Sequence, residues 1–142
     1  MELSVFAARV LTGESLADKL LQADVVVDSA SPLVVARPGR DRTLRMAARA
    51  PHAPLPTRRQ LDDEGARGAL LHSFANHELL ALELLASALL RFPNAPDGFR
   101  LGLLQVLRDE QRHLSLYLGR MTELGVTFGE LPLNGFFWDA VA

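Results

Sequence analysis

Glu110 and His113 stand three residues apart in the segment RDEQRHLSLY, inside a run that otherwise reads as an apolar helix. Side chains at i and i+3 leave one helical face about one turn apart, so a carboxylate and an imidazole at this spacing can reach a single metal ion. A second carboxylate, Glu78, lies on the preceding helical stretch. At roughly 100° per residue, Leu71, Phe74, Ala75, Leu82, Leu85 and Leu89 all fall within about 60° of it. The same wheel groups Leu103, Val106, Leu107, Leu114, Tyr117, Met121 and Leu124 around Glu110, with His113 about 60° to one side.

Two ionised carboxylates on facing apolar stripes are costly unless a positive charge sits between them. No Lys or Arg falls on either stripe within two turns of the glutamates, which leaves a metal cation as the neutralising partner. One Glu from one helix plus Glu-x-x-His from its neighbour is half of the ligand set of carboxylate-bridged di-iron or di-manganese four-helix bundles. The expected metal ligands are therefore Glu78, Glu110 and His113, with iron or manganese as the cofactor. The donor types alone do not separate those two metals. Glu-x-x-His by itself recurs by chance on solvated faces, and it is Glu78 on the facing helix that lifts it above that background.

The remaining polar residues of the two stretches read differently. Glu83 lies about 140° from Glu78, beside Asn76 and His72, and is assigned to a more polar face. His72 and His77 sit about 120° and 100° to either side of Glu78, as hydrogen-bonding residues on the helix flanks. Tyr117 reads as core, with its hydroxyl at the rim. Asp109, Arg112 and Arg108 point away from the stripe and read as solvated.

The elements that must position these groups are helical. Residues 2–11 and 16–23 read as two short packing helices, the second with Ser15 as N-cap and Asp18 in its first turn. The stretch VVVDSASPLVVARPGRD is either irregular or a short strand pair. PHAPLP, with three prolines, is an extended connector. One long helical pattern then runs from about Asp62 to Arg91, FPNAPDG interrupts it, and a second runs from about Phe99 to Leu124, with Gly125 as its terminator. The fold class is all-α: residues 1–56 hold short helices and the connector, and 57–142 form an antiparallel helical hairpin, half of a four-helix bundle.

Composition bounds the rest. The 142 residues suit one domain, 49% are hydrophobic and 23% charged, and the chain should fold rather than stay disordered. A net charge of -2 gives no electrostatic case for nucleic acid or an anionic membrane, and the basic cluster RPGRDRTLR is short. With no cysteine, thiolate metal sites, disulfides and thiol catalysis are excluded. No signal peptide or membrane span is legible, and a cytoplasmic protein is expected. RPGRD lacks the glycines and context of a phosphate loop, and no G-x-S-x-G elbow occurs, so nucleophile-type hydrolysis is not expected.

The LLH...HE..ALEL run, the DEQRH motif and the LG..FG..P...FFW ending resemble the ferritin-like proteins of domain-of-unknown-function family 455. The likeness covers about Leu55 to Trp138, with a looser match before it. It implies a ferritin-like four-helix fold and a di-metal centre whose ligand positions map onto Glu78, Glu110 and His113. More distant ferritin-like relatives include iron oxidases and oxygen-using hydroxylases, one of which acts on modified tRNA. Members of the family continue through a second helix pair that supplies another Glu and another Glu-x-x-His, whereas this sequence reaches Ala142 without one. Three of about six protein ligands are thus present, and two copies paired about a two-fold axis supply four glutamates and two histidines.

The resulting expectation is a di-iron or di-manganese protein completed as a homodimer. If it is an enzyme, it is an oxidoreductase that activates O2 or oxidises iron. The alternative is a metal-free dimerisation or partner-binding module derived from a truncated or split relative, in which FFWDA caps the open end of the hairpin. A nucleic-acid-modifying role is weaker, because no long basic stripe is present.

Overall fold

The computed structural model describes residues 1–24, 26–47 and 55–141. Among them the regular structure is entirely helical: α1 (Leu3–Thr12), α2 (Leu16–Lys19), α3 (Glu64–Arg91), α4 (Asp97–Glu123) and α5 (Phe136–Val141), with 3-10 turns at Arg42–Leu44 and Gln60–Asp62. The stretch from Val26 to Asp41 is irregular, touched by one isolated parallel bridge between Glu2 and Val27. Most of the proline connector falls outside the described residues.

Helix α1 forms because Leu3, Phe6, Ala7, Val10 and Leu11 recur at helical spacing, and all five are buried. They pack on α3, and the core is continuous from α1 through Leu79, Leu82, Ala86 and Leu90 to Leu104, Leu107 and Leu114 of α4. Helix α3 is thus covered on two sides, by α4 and by α1. A helix apolar over most of its circumference is stable only in such a position.

Helix α2 is shorter than the expected 16–23. Ser15 caps it as anticipated, accepting from the Asp18 N–H while Asp18 accepts from the Ser15 N–H, a reciprocal capping box. It stops after one turn because the carbonyls of Lys19 and Leu21 are taken by the Gln111 side-chain amide of α4, at 2.9 and 3.0 Å. Tertiary hydrogen bonds here replace the ones a longer helix would make.

Helices α3 and α4 form the tightly packed antiparallel pair the sequence implies. Asp63 caps α3 by accepting from the Ala66 N–H at 2.9 Å. Helix α4 ends in a Schellman motif: Gly125, at φ 76°, donates to the Thr122 carbonyl and Val126 donates to that of Met121. Helix α5 returns to pack against α3, where the Phe137 ring stacks on His77 at 6.0 Å.

Candidate metal centre

Glu78 sits near the middle of α3, and Glu110 and His113 lie one turn apart on the antiparallel α4. The packing of the pair brings all three together, so that one ligand atom from each lies within 4.8 Å of the others. His113 Nδ1 is 3.4 Å from the Glu110 carboxylate and 3.9 Å from that of Glu78. Side-chain exposures of 19% for Glu78, 21% for Glu110 and 47% for His113 place the group at the edge of the core, open on the imidazole side.

That position differs from the one the helical wheel gives. Glu110 is not the centre of the buried stripe of α4. The enclosed line runs through Arg100, Leu104, Leu107, Gln111, Leu114 and Met121, and Glu110 lies beside it. The reason is the third layer: the N-terminal segment covers the Gln111 side of the hairpin, while Phe74 and Val106, near the glutamates, remain exposed. The wheel recovers apolar periodicity but not which of two apolar faces is covered.

Electrostatically the pair of carboxylates is frustrated as it stands. Burial pushes the Glu78 carboxyl up to about 8, helped by its hydrogen bond to Glu110 and by that neighbour's negative charge. Among the described residues neither glutamate has a Lys or Arg partner. Below about pH 8 the Glu78 carboxyl is therefore protonated, which relieves the repulsion that a cation could also relieve. Two carboxylates and one imidazole are a donor set suited to iron, manganese or zinc.

The other histidines lie elsewhere. His72 is buried, its Nε2 accepts the Gly129 N–H at 3.0 Å, its ring lies against Phe128, and burial lowers its pKa. His77 is occupied by Phe137, and Tyr117 meets Phe74 ring to ring at 5.9 Å. Among the described residues no fourth Asp, Glu or His joins the three.

Glu83 corrects the sequence reading outright. It is not on a polar face but fully buried, with Lys19 Nζ 3.0 Å and Arg40 Nε 2.9 Å from its carboxylate. Its cations come from residues distant in sequence, which no helical wheel can supply.

Residues 4–142 match the family described as Protein of unknown function (DUF455). The chain belongs to this family. Its match begins within α1, so the N-terminal helix, which the motif likeness reached only loosely, is part of the DUF455 unit. No curated protein and no solved structure matches the chain.

Proposed function

We propose that this DUF455 protein is a ferritin-like, carboxylate-bridged di-metal protein, holding two iron or manganese ions between two copies of the chain. The observation that carries this reading is the convergence of Glu78, Glu110 and His113 from two antiparallel helices within 4.8 Å, with no Lys or Arg among the described residues paired to either carboxylate. One hairpin offers two carboxylates and one imidazole; a second copy doubles the set to the composition such centres use. Pairing also covers Phe74 and Val106, the exposed apolar residues beside the glutamates.

A redox-active metal pair held by Glu78, Glu110 and His113 of two copies would supply electrons for dioxygen reduction, or pass them from ferrous iron to dioxygen. The roles of the chain's own groups follow from their placement. Glu78 and Glu110 would hold the metal through oxygen from opposite helices, and the raised Glu78 carboxyl would give up its proton to do so. His113 contributes Nδ1, the ring nitrogen that faces both glutamates. Its half exposure leaves the group open to solvent on the imidazole side.

The test is metal content per chain together with solution mass, on untagged protein loaded anaerobically with Fe(II) and then desalted. A dimer with about two metals, lost in Glu110→Ala and His113→Ala, is the expected result. A folded monomer or dimer without stoichiometric metal overturns the proposal and leaves a metal-free helical module.

A further inference from the structure

The segment from Arg37 to Arg45, a basic cluster with no assigned role in the sequence, folds tightly onto the end of α1. Gly39 makes this possible: its N–H donates to the Leu11 carbonyl at 2.9 Å, and a Cβ there would lie 1.9 Å from the Thr12 carbonyl oxygen. The approach commits Arg40 to Glu83 and to the Leu44 carbonyl. Arg37 and Arg45 are left exposed and pair with no carboxylate among the described residues.

These two arginines line a cleft of about 720 Å³ together with Arg91 from the end of α3 and Trp138 and Asp139 from α5. Pro38, Met46 and Val141 make up part of its apolar wall. Two donors from this lining are enclosed and unmatched: the Nε–H of Arg91 and the indole Nε1–H of Trp138 meet no acceptor. Buried donors are matched in nearly all native structures, so two on residues that line one cleft mark it as a place where a small side-chain shift would offer donors to an acceptor. Arg37, Arg45 and Arg91 face a single carboxylate, Asp139, and Arg40 shares the charge of Glu83 with Lys19, so the cleft is strongly net positive and suited to a multiply charged anion such as a phosphate monoester.

We propose that this cleft binds a small organic phosphate, with the phosphate held by Arg37, Arg45 and Arg91 and accepting from the Trp138 indole N–H, and an apolar body laid against Pro38, Met46 and Val141. A carboxylate offers fewer acceptor atoms and half the charge to three guanidinium forks. A nucleic-acid backbone needs an extended basic track, whereas these arginines converge on one concavity of a chain whose net charge is -2. The cleft is also separate from the metal centre: Arg91 lies roughly 20 Å along α3 from Glu78 at the helical rise per residue.

Trp138 is the chain's single tryptophan, so its fluorescence reports on this cleft alone. The full-length chain is titrated with phenyl phosphate, and with inorganic phosphate and benzyl alcohol as the two halves of that probe. Phenyl phosphate should give a saturable change, inorganic phosphate should bind about tenfold more weakly, and benzyl alcohol should give none in the same range. Arg37→Ala and Arg45→Ala, both at exposed positions, should each weaken phenyl phosphate about tenfold while leaving the helical content unchanged. The proposal is overturned if neither phosphate gives a saturable response, if the two bind equally, or if both arginine variants retain the original affinity. A single-stranded oligonucleotide that displaces phenyl phosphate at far lower concentration would also overturn it, in favour of a nucleic-acid site.

Discussion

Lys19 and Glu83 form an ion pair at 3.0 Å in which both side chains are entirely enclosed, and Arg40 closes on the other oxygen of the same carboxylate. One residue of α3 thereby fixes α2 and the Arg37–Arg45 segment to the hairpin. Lys19 also donates to the Leu11 carbonyl, tying in the end of α1. Burial lowers the Lys19 pKa, and the Glu83 charge opposes that shift, so the ammonium depends on its partner.

Removing the shared anion leaves two cations buried together. Glu83→Ala should destabilise the protein by about 3–5 kcal/mol, read as a lower denaturant midpoint. Lys19→Met keeps the Arg40–Glu83 pair and loses mainly one hydrogen bond and one charge contact, so its cost should be smaller, about 1–3 kcal/mol. A Glu83→Ala protein as stable as the parent would show that the triad does not anchor the N-terminal layer.

The metal-free protein should lose stability as pH rises. The Glu78 pKa is raised in the fold, from 4.5 to about 8, so the folded state binds the extra proton. The contribution of that proton is whole below 4.5 and is lost as pH passes through about 8. Glu78→Gln should flatten this part of the stability–pH curve, and parallel curves for the two proteins would refute the assignment. Loading a divalent ion at neutral pH should release about one proton per Glu78, measurable by calorimetry in buffers of different ionisation enthalpy.

Much of this was legible in the sequence, and the exceptions share a cause. The hairpin, the Ser15 cap, the Gly125 stop and the convergence of Glu78 with Glu110 and His113 all follow from local spacing within single helices. Glu83 and Gln111 defeat the same reasoning because their partners, Lys19 with Arg40 and the carbonyls of Lys19 and Leu21, belong to a third layer reached through non-helical chain. A polar residue at a buried position is invisible to a pattern of residue types when its partner is far away in sequence. The basic cluster at Arg37 acquires meaning for the same reason, once Arg91 and Trp138 stand opposite it.

Two glycines of the hairpin should respond to alanine with opposite sign. Gly125 is held at φ 76° by the Schellman motif, so Gly125→Ala should cost about 1–2 kcal/mol. Gly119 lies in the body of α4 on an exposed face with nothing within 4 Å of an added Cβ, so Gly119→Ala should stabilise by up to about 1 kcal/mol. Thermal melts of the two variants decide the matter, and a shift in the same direction for both would contradict the α4 boundary.

Arg100 carries the turn between the two long helices. Buried at the start of α4, it donates through Nη1 to the carbonyls of Leu89 and Phe92, at 2.9 and 2.8 Å, and grips Asp28 through Nε and Nη2. The last carbonyls of α3 lack intrahelical donors; the guanidinium satisfies that of Leu89 and joins the Ala95 N–H on that of the C-cap Phe92, while its charge complements the helix terminus. Arg100→Leu should therefore cost about 2–3 kcal/mol, since the Leu89 carbonyl loses its donor and that of Phe92 keeps only the Ala95 N–H, while exposed Asp28 can rehydrate. Arg100→Lys should recover less than about half of that, because a single ammonium cannot span three acceptors arranged for a planar fork. Denaturant midpoints for the pair test this directly: a lysine variant equal to the parent would mean that charge alone, rather than the fork, holds α3 to α4.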